Sequence, residues 1–159
     1  MLEQRNLLNL IEYILMTRKL TPDDIVAEFA SFCFDASVID LFAPLTAGAV
    51  LYILPESIRK DAVAVGKFIK EEKITTATFP TQMGELVAEL LDDAPSLKFV
   101  TLGGEKFKYY RDRTYQMING YGPTEILFPP QSSGLTNSTT TSRSVSHSGI
   151  SAATLWTKI

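Results

Sequence analysis

The run Asn119-Gly120-Tyr121-Gly122-Pro123-Thr124-Glu125 gathers backbone freedom, an aromatic face, a hydroxyl and a carboxylate into one short stretch. Its two glycines admit backbone angles and ligand approaches that a side chain forbids, and Pro123 stiffens the exit. Tyr121 offers a ring for a flat base, Thr124 a hydroxyl for a phosphate oxygen, and Glu125 a hard oxygen ligand for magnesium. A tight turn after a buried strand would use the same residue types, so the chemistry needs companions elsewhere in the chain.

Such companions recur at the ends of apolar segments. Asp35 closes the run 25–34, Thr78 lies near the end of 74–79, Gly103-Gly104-Glu105 follow 97–102, and the opening stretch follows 115–118. Each segment is short, apolar and rich in branched or aromatic residues, the pattern of a strand covered on both faces. Between them lie helical spacings. Leu7, Leu8, Leu10, Ile11, Ile14 and Leu15 mark a helix over 7–16 that ends near Lys19, and 21–24 is a turn. Asp35 can cap a helix over 38–47 that Gly48 ends, and 49–54 reads as another buried strand closed by Pro55. Val63, Val65, Phe68 and Ile69 against Lys67, Lys70, Glu71 and Glu72 give an amphipathic helix over 61–72, and 82–91 repeats the pattern.

Strand and helix in alternation predict an α/β fold, a mostly parallel sheet with crossover helices on its faces. In such sheets ligands collect beyond the carboxyl ends of the strands, where the glycines and polar residues of this chain fall.

At 159 residues and 45% hydrophobic composition the chain suits one domain with a sizeable core, and its net charge of -3 argues against a nucleic-acid partner held through phosphates. Cys33 is the one cysteine, flanked by Phe32 and Phe34, and is expected to be a small buried side chain. Met1 to Asn6 carry no secretory pattern, and Asp40, Pro44 and Gly48 break the most apolar run, so no membrane helix and a cytoplasmic location are expected. From Gln131 onward serine and threonine make up about half the residues and no acidic residue occurs, so 128–159 is expected to be a disordered or non-native tail after a domain over 1–127. His147 lies in that tail without a neighbouring cysteine or acid to suggest metal binding or catalysis.

The wording of five segments is more specific than their chemistry. "NLLNLIEY", "FASFCFDASVIDLFAPLTAGAVLYI", "TTATFPTQM", "VTLGGEKF" and "NGYGPTE" follow one another in this order. Together they resemble the adenylation domains of nonribosomal peptide synthetases, in the AMP-binding, adenylate-forming superfamily. The resemblance implies a fragment of the large N-terminal lobe of such an enzyme. Asp35 would hold the α-ammonium of an amino acid, and Ala36, Ile39, Thr78, Thr101, Gly103 and Gly120 would line the side-chain pocket. Those residues are small or apolar, which points to an uncharged substrate. Gly103, Gly104, Glu105, Asn119, Gly120 and Tyr121 would surround adenine, Thr124 would face the α-phosphate, and Glu125 would ligate magnesium.

The reaction so implied is ATP-dependent activation of an amino acid to an aminoacyl-adenylate with release of pyrophosphate. Loading onto the phosphopantetheine thiol of a peptidyl carrier protein would follow. The sequence departs from the family pattern in three places. Gln4 stands where a histidine is usual, the phosphate-gripping loop would lie before Leu2, and after Glu125 the chain turns to "ILFPPQSSGLTNSTTT" instead of the segments that lead to a catalytic lysine. A chain without that loop and lysine is expected to be inactive alone, each group being worth roughly 10²–10³-fold. A fatty-acid or aryl-acid activating ligase, resembling acyl-CoA synthetases, and a non-catalytic interaction module or gene remnant are the alternatives.

Overall fold

The computed structural model describes residues 3–105, 113–120 and 133–135. Tyr121, Gly122, Pro123, Thr124, Glu125 and His147, with most of the serine- and threonine-rich segment, lie outside the described residues. The elements run α1 (Gln4–Arg18), β1 (Ile25–Glu28), α2 (Ala36–Ala47), β2 (Val50–Ile53), α3 (Ala62–Glu71), β3 (Thr76–Pro80), α4 (Thr81–Ala88), β4 (Phe99–Gly103), β5 (Gln116–Gly120) and β6 (Ser133–Leu135).

One sheet holds all the described strands in the order β2-β1-β3-β4-β5-β6. The pairs from β2 to β5 are parallel, and β6 adds to β5 antiparallel through Asn119 opposite Ser133. The sequence offered no strand signal at 133–135.

Alternation along the strands gives the sheet two unlike faces. Ala27, Ala77, Phe79, Val100, Leu102 and Met117 point to one side, where they pack with Val65 and Ile69 of α3 and Val87 and Ala88 of α4. Phe29 meets Phe79 edge to face at 5.0 Å. Each fully buried aliphatic or aromatic side chain here contributes about 1.5–3 kcal/mol. The opposite face presents Val26, Glu28, Thr76, Thr78 and Thr101 beneath α1 and α2, whose own contact is a small cluster of Leu10, Ile14 and Ala43. The two layers of helices therefore cover an apolar side and a polar one.

Local chemistry explains the helix boundaries. Asp61 caps α3 by accepting from the amides of Val63 and Ala64. Gly48 ends α2 at φ 72, a left-handed conformation that costs glycine little. Arg113, just before β5, is buried and donates to the Ala88 carbonyl at the end of α4 and to Glu89 and Asp92, which fastens the approach to β5 onto the helix layer.

Three expectations need correction. The first strand stops at Glu28 instead of continuing to Phe34, because the chain turns back on itself with Phe34 N–H bonded to the Ser31 carbonyl. Cys33, Phe32 and Phe34 are consequently exposed, not buried. The strand expected at 49–54 is no buried strand: β2 pairs only with β1 at the sheet edge, leaving Val50 and Ile53 about half exposed. Among the described residues no helix is long and apolar enough to cross a membrane.

At Gly84 α4 packs tightly against the sheet. A Cβ built there would lie 2.0 Å from Leu102 Cδ2 and 3.1 Å from Phe79 Cβ, both in the sealed core. Overpacking of this kind costs about 1–3 kcal/mol, and the better helix propensity of alanine returns about 1 kcal/mol at most. Gly84→Ala should therefore lower the urea midpoint of unfolding; an unchanged or higher midpoint would show that α4 stands farther from β4 than the structure has it.

Candidate functional site

Parallel pairing brings the carboxyl ends of β3, β4 and β5 to one edge. Thr78 is in register with Thr101 and Thr101 with Ile118, while Pro80, Gly103 and Gly120 form the next level out. Gly103 and Gly120 are thus terminal strand residues in adjacent strands, not loop residues, and a Cβ on Gly103 would come within 3.5 Å of the Gly120 carbonyl. Asn119 also belongs to β5, and its Oδ1 is buried without a hydrogen-bond partner.

The turn beyond β4 is held in place by the start of α4. The Thr81 hydroxyl lies 3.1 Å and 3.0 Å from the carbonyls of Gly103 and Glu105 and accepts the Glu105 N–H at 3.2 Å. Gln82 donates to the Glu105 carboxylate at 3.3 Å. Gly104 sits at φ 101 with nothing within 4 Å of the place a Cβ would take, so the turn is exposed and open above its backbone. Open glycine backbone, a fixed Glu105 and an unsatisfied amide oxygen suit a flat heteroaromatic ring with its own donors.

Asp35 enters from another element. The chain leaves β1, turns through 29–34 and starts α2, and a crossover between parallel strands runs its helix antiparallel to them, so the head of α2 stands at the same edge. Asp35 is exposed there and occupies the N-cap position, yet its own backbone is helical and its side chain makes no capping hydrogen bond. The expected cap is therefore not formed. Ala36 and Ile39 are half-buried on the first turn.

Beneath this turn lies a polar group that the sequence reading missed. Thr78 donates to Asp40 Oδ1 at 2.6 Å, Arg18 Nη2 donates to the Thr101 hydroxyl at 3.0 Å, and Arg18 Nη1 stands 4.0 Å from Asp40 Oδ1. Arg18 and Asp40 are sealed, at 5% and 0% exposure. Burial pushes the Asp40 carboxyl up to about 6, with Arg18 and the Thr78 hydrogen bond opposing the shift. Burial likewise works against the charge on Arg18, and Asp40 sustains it. The layer beneath Thr78 and Thr101 is thus polar and charged, a feature that the small or apolar residues expected to line the pocket did not reveal. Ala36 lies one helical turn before Asp40, on the same stripe.

A sequence signal for these residues did exist. Arg18 continues the stripe of Leu10 and Ile14 at a spacing of four, and Asp40 interrupts an apolar run. Both were readable as buried charges. Tyr121, Thr124 and Glu125, expected to contact base, phosphate and metal, lie outside the described residues, and among those described no cluster of His, Cys, Asp and Glu is fit for a metal ion.

Comparison with known proteins gives these features a setting. The sequence model of the AMP-binding enzyme family matches residues 1–153. Surfactin synthase subunit 2 of Bacillus subtilis (strain 168) is 35% identical over 125 residues, 79% of this chain and 3% of that one. Bacitracin synthase 1 of Bacillus licheniformis is 33% identical over 125 residues, again 79% of this chain and 2% of the relative. The chain therefore spans only a few hundredths of the length of these curated relatives. Among solved structures, the Vibrio cholerae adenylation domain AlmE in complex with glycyl-adenosine-5'-phosphate superposes with a TM-score of 0.67 at 28% identity, covering 76% of this chain and 24% of that one. The nonribosomal peptide synthetase FmoA3, in its form bound to alpha-methyl-L-serine-AMP, shares the fold with a TM-score of 0.75 at 21% identity, over 83% of this chain and 16% of the other.

The buried pair invites a double-mutant cycle. Removing one partner strands a charge in the interior and typically costs about 3–5 kcal/mol, whereas apolar replacement of both is often close to neutral. Arg18→Leu and Asp40→Leu should each lower unfolding free energy in urea titrations, and the double variant should recover most of the loss. Simple additivity would mean that the two groups do not compensate one another.

Proposed function

Because the chain belongs to the AMP-binding enzyme family, we propose that it contributes one wall of an amino-acid adenylation site, in a larger enzyme that activates an amino acid with ATP. In this reading Asp35 receives the α-ammonium through a charge-assisted hydrogen bond. Ala36, Ile39, Thr78, Thr101, Gly103 and Gly120 surround the substrate side chain, and Gly103, Gly104, Glu105, Asn119, Gly120 and Tyr121 hold adenine. Thr124 faces the α-phosphate. Glu125 is the proposed magnesium ligand, and the ion would offset repulsion between phosphate charges.

The observation that carries the reading is the common edge. Gly103 and Gly120 end adjacent parallel strands in register, the turn 103–105 is open above and fixed below, and α2 begins at the same edge with Asp35 at its head. Residues from four separate segments reach that edge, and two of the segments have glycine where a ligand would have to approach backbone.

The chemistry follows from that arrangement. The amino-acid carboxylate attacks the α-phosphorus of ATP, the bond to pyrophosphate breaks, and the mixed anhydride remains bound until a thiol takes the acyl group. The wall described here positions the two reactants, which converts a bimolecular encounter into a reaction within one site. It contains no group that must give or take a proton in that step. A phosphopantetheine thiol on a peptidyl carrier protein is the proposed acceptor, and the cytoplasm, where ATP is abundant, the proposed setting.

The polar floor refines the substrate class. Thr78 spends its proton on Asp40, whereas Thr101 accepts from Arg18 and keeps its own proton to donate. A side chain reaching that depth meets hydroxyl groups instead of a greasy surface, which favours small or hydroxyl-bearing amino acids.

Binding of stable adenylate analogues to the purified chain tests the assignment of Asp35. Hydrogen bonds to a charged group contribute about 1.5–3 kcal/mol, so an aminoacyl sulfamoyl-adenosine should bind about tenfold or more tightly than its counterpart lacking the α-amine. Asp35→Ala should erase that preference in calorimetric titrations. Equal binding by the unaltered chain would favour a fatty-acid or aryl-acid activating ligase, and a preference that survives Asp35→Ala would place the amine elsewhere.

A further inference from the structure

Glu28, the last residue of β1, is fully buried, and neither of its carboxylate oxygens has a hydrogen-bond partner. It lies on the polar face of the sheet with Thr76, Thr78 and Thr101, under the layer formed by α1 and α2. Asp40 of α2 is the neighbouring acid, with one oxygen bonded to Thr78 and the other also unpartnered.

The cations facing this pair are already engaged. Arg18 of α1 divides its guanidinium between Thr101 and Asp40, with the Tyr13 phenol nearby on the same helix. Arg59, beyond β2, bonds the carbonyls of Phe29 and Leu54 and pairs with Glu56. The third strand offers only the hydroxyls of Thr76 and Thr78, the former itself unpartnered. Asp40 thus has the sealed Arg18 beside it, whereas Glu28 has no hydrogen bond and faces only the charge of the already engaged Arg59, so an ionised Glu28 would be a poorly compensated buried charge.

We propose that Glu28 is a proton-operated latch: a proton on its carboxyl lets α1 and α2 seat on the sheet, and losing that proton releases them. Burial first, and the charge of Asp40 second, push the Glu28 carboxyl up from an ordinary 4.5 to about 8, with Arg59 opposing. A raised acid in the folded state binds more protons there than when exposed, so its stabilising contribution is whole below the ordinary value and drains away as pH rises through the folded one. The window runs from about 4.5 to about 8, and Asp40, pushed up to about 6, shares only its lower part. Between about 6 and 8 the dependence belongs to Glu28. Since Asp40 and Arg18 also hold the hydroxyls of Thr78 and Thr101, release of α1 and α2 frees that wall as well.

Amide hydrogen exchange on the whole 159-residue chain at pH 6, 7 and 8 reads the latch, after correction for the intrinsic pH dependence of exchange. Protection of α1 and α2 should fall roughly tenfold per pH unit while α3 and α4 hold theirs, and Glu28→Gln, which mimics the neutral acid, should flatten the fall. The same fall in the glutamine variant, or all four helices losing protection in step, would overturn the proposal. Should Glu28→Gln fail to fold, a carbon-13 carboxyl titration of the unaltered chain decides: a midpoint well above the ordinary range supports the latch, and an ordinary one overturns it.

Discussion

The arginine side chain of Arg18, taken out of water between α1 and the sheet, is the constraint on which the polar half of this fold depends. A guanidinium cannot lose its charge at any ordinary pH, so the structure around it has to supply an anion and acceptors. Asp40 and the Thr101 hydroxyl supply them, and Asp40 in turn takes the proton of Thr78. One side chain on α1, one on α2 and one on each of two strands are thereby fixed relative to each other. Each group satisfies part of another's requirement, so none is readily replaced alone.

The apolar face asks for nothing so specific. Under α3 and α4 the fit is set by volume, with Gly84 admitting Leu102 and Phe79, and methyl-sized errors are felt as strain or voids. Such a face gives a sheet its stability. The polar face gives it directionality, because hydrogen-bonded hydroxyls present their remaining donors and acceptors in set directions. That the helix carrying Asp35 at its head sits on the polar side is consistent with a ligand site at the adjoining edge.

The family relationship places this division in context. Adenylate-forming chemistry relies on positioning two reactants and on neutralising phosphate charge, neither of which demands a proton-transfer group in the wall described here. Under the proposed adenylation reading such a wall would need glycine where backbone meets ligand and fixed polarity below, and the ends of β3, β4 and β5 with their supporting pair have both.

Much of this was legible in the linear chain. The alternation of strands and helices, the helix stripes of α1, α3 and α4, the glycine that ends α2 and the parallel sheet all follow from periodicity and turn chemistry, which are local properties. That Thr78 lies near the end of its strand and that glycines fall where β4 and β5 finish was legible for the same reason, although Gly103 and Gly120 prove to be the last strand residues instead of the first loop residues. Where β1 stops was not, since 29–34 is as apolar as the strand before it and only the turn that reverses the chain decides the matter. The exposure of β2 depends on its place at the sheet edge, and the partnership of Arg18, Asp40, Thr78 and Thr101 joins residues up to 83 positions apart. The sequence by itself determined the kinds of element and the residues at their ends, because those depend on neighbours along the chain. Only the tertiary structure decided which charges are sealed together and which faces they share, because burial and Coulomb interaction depend on distance through space.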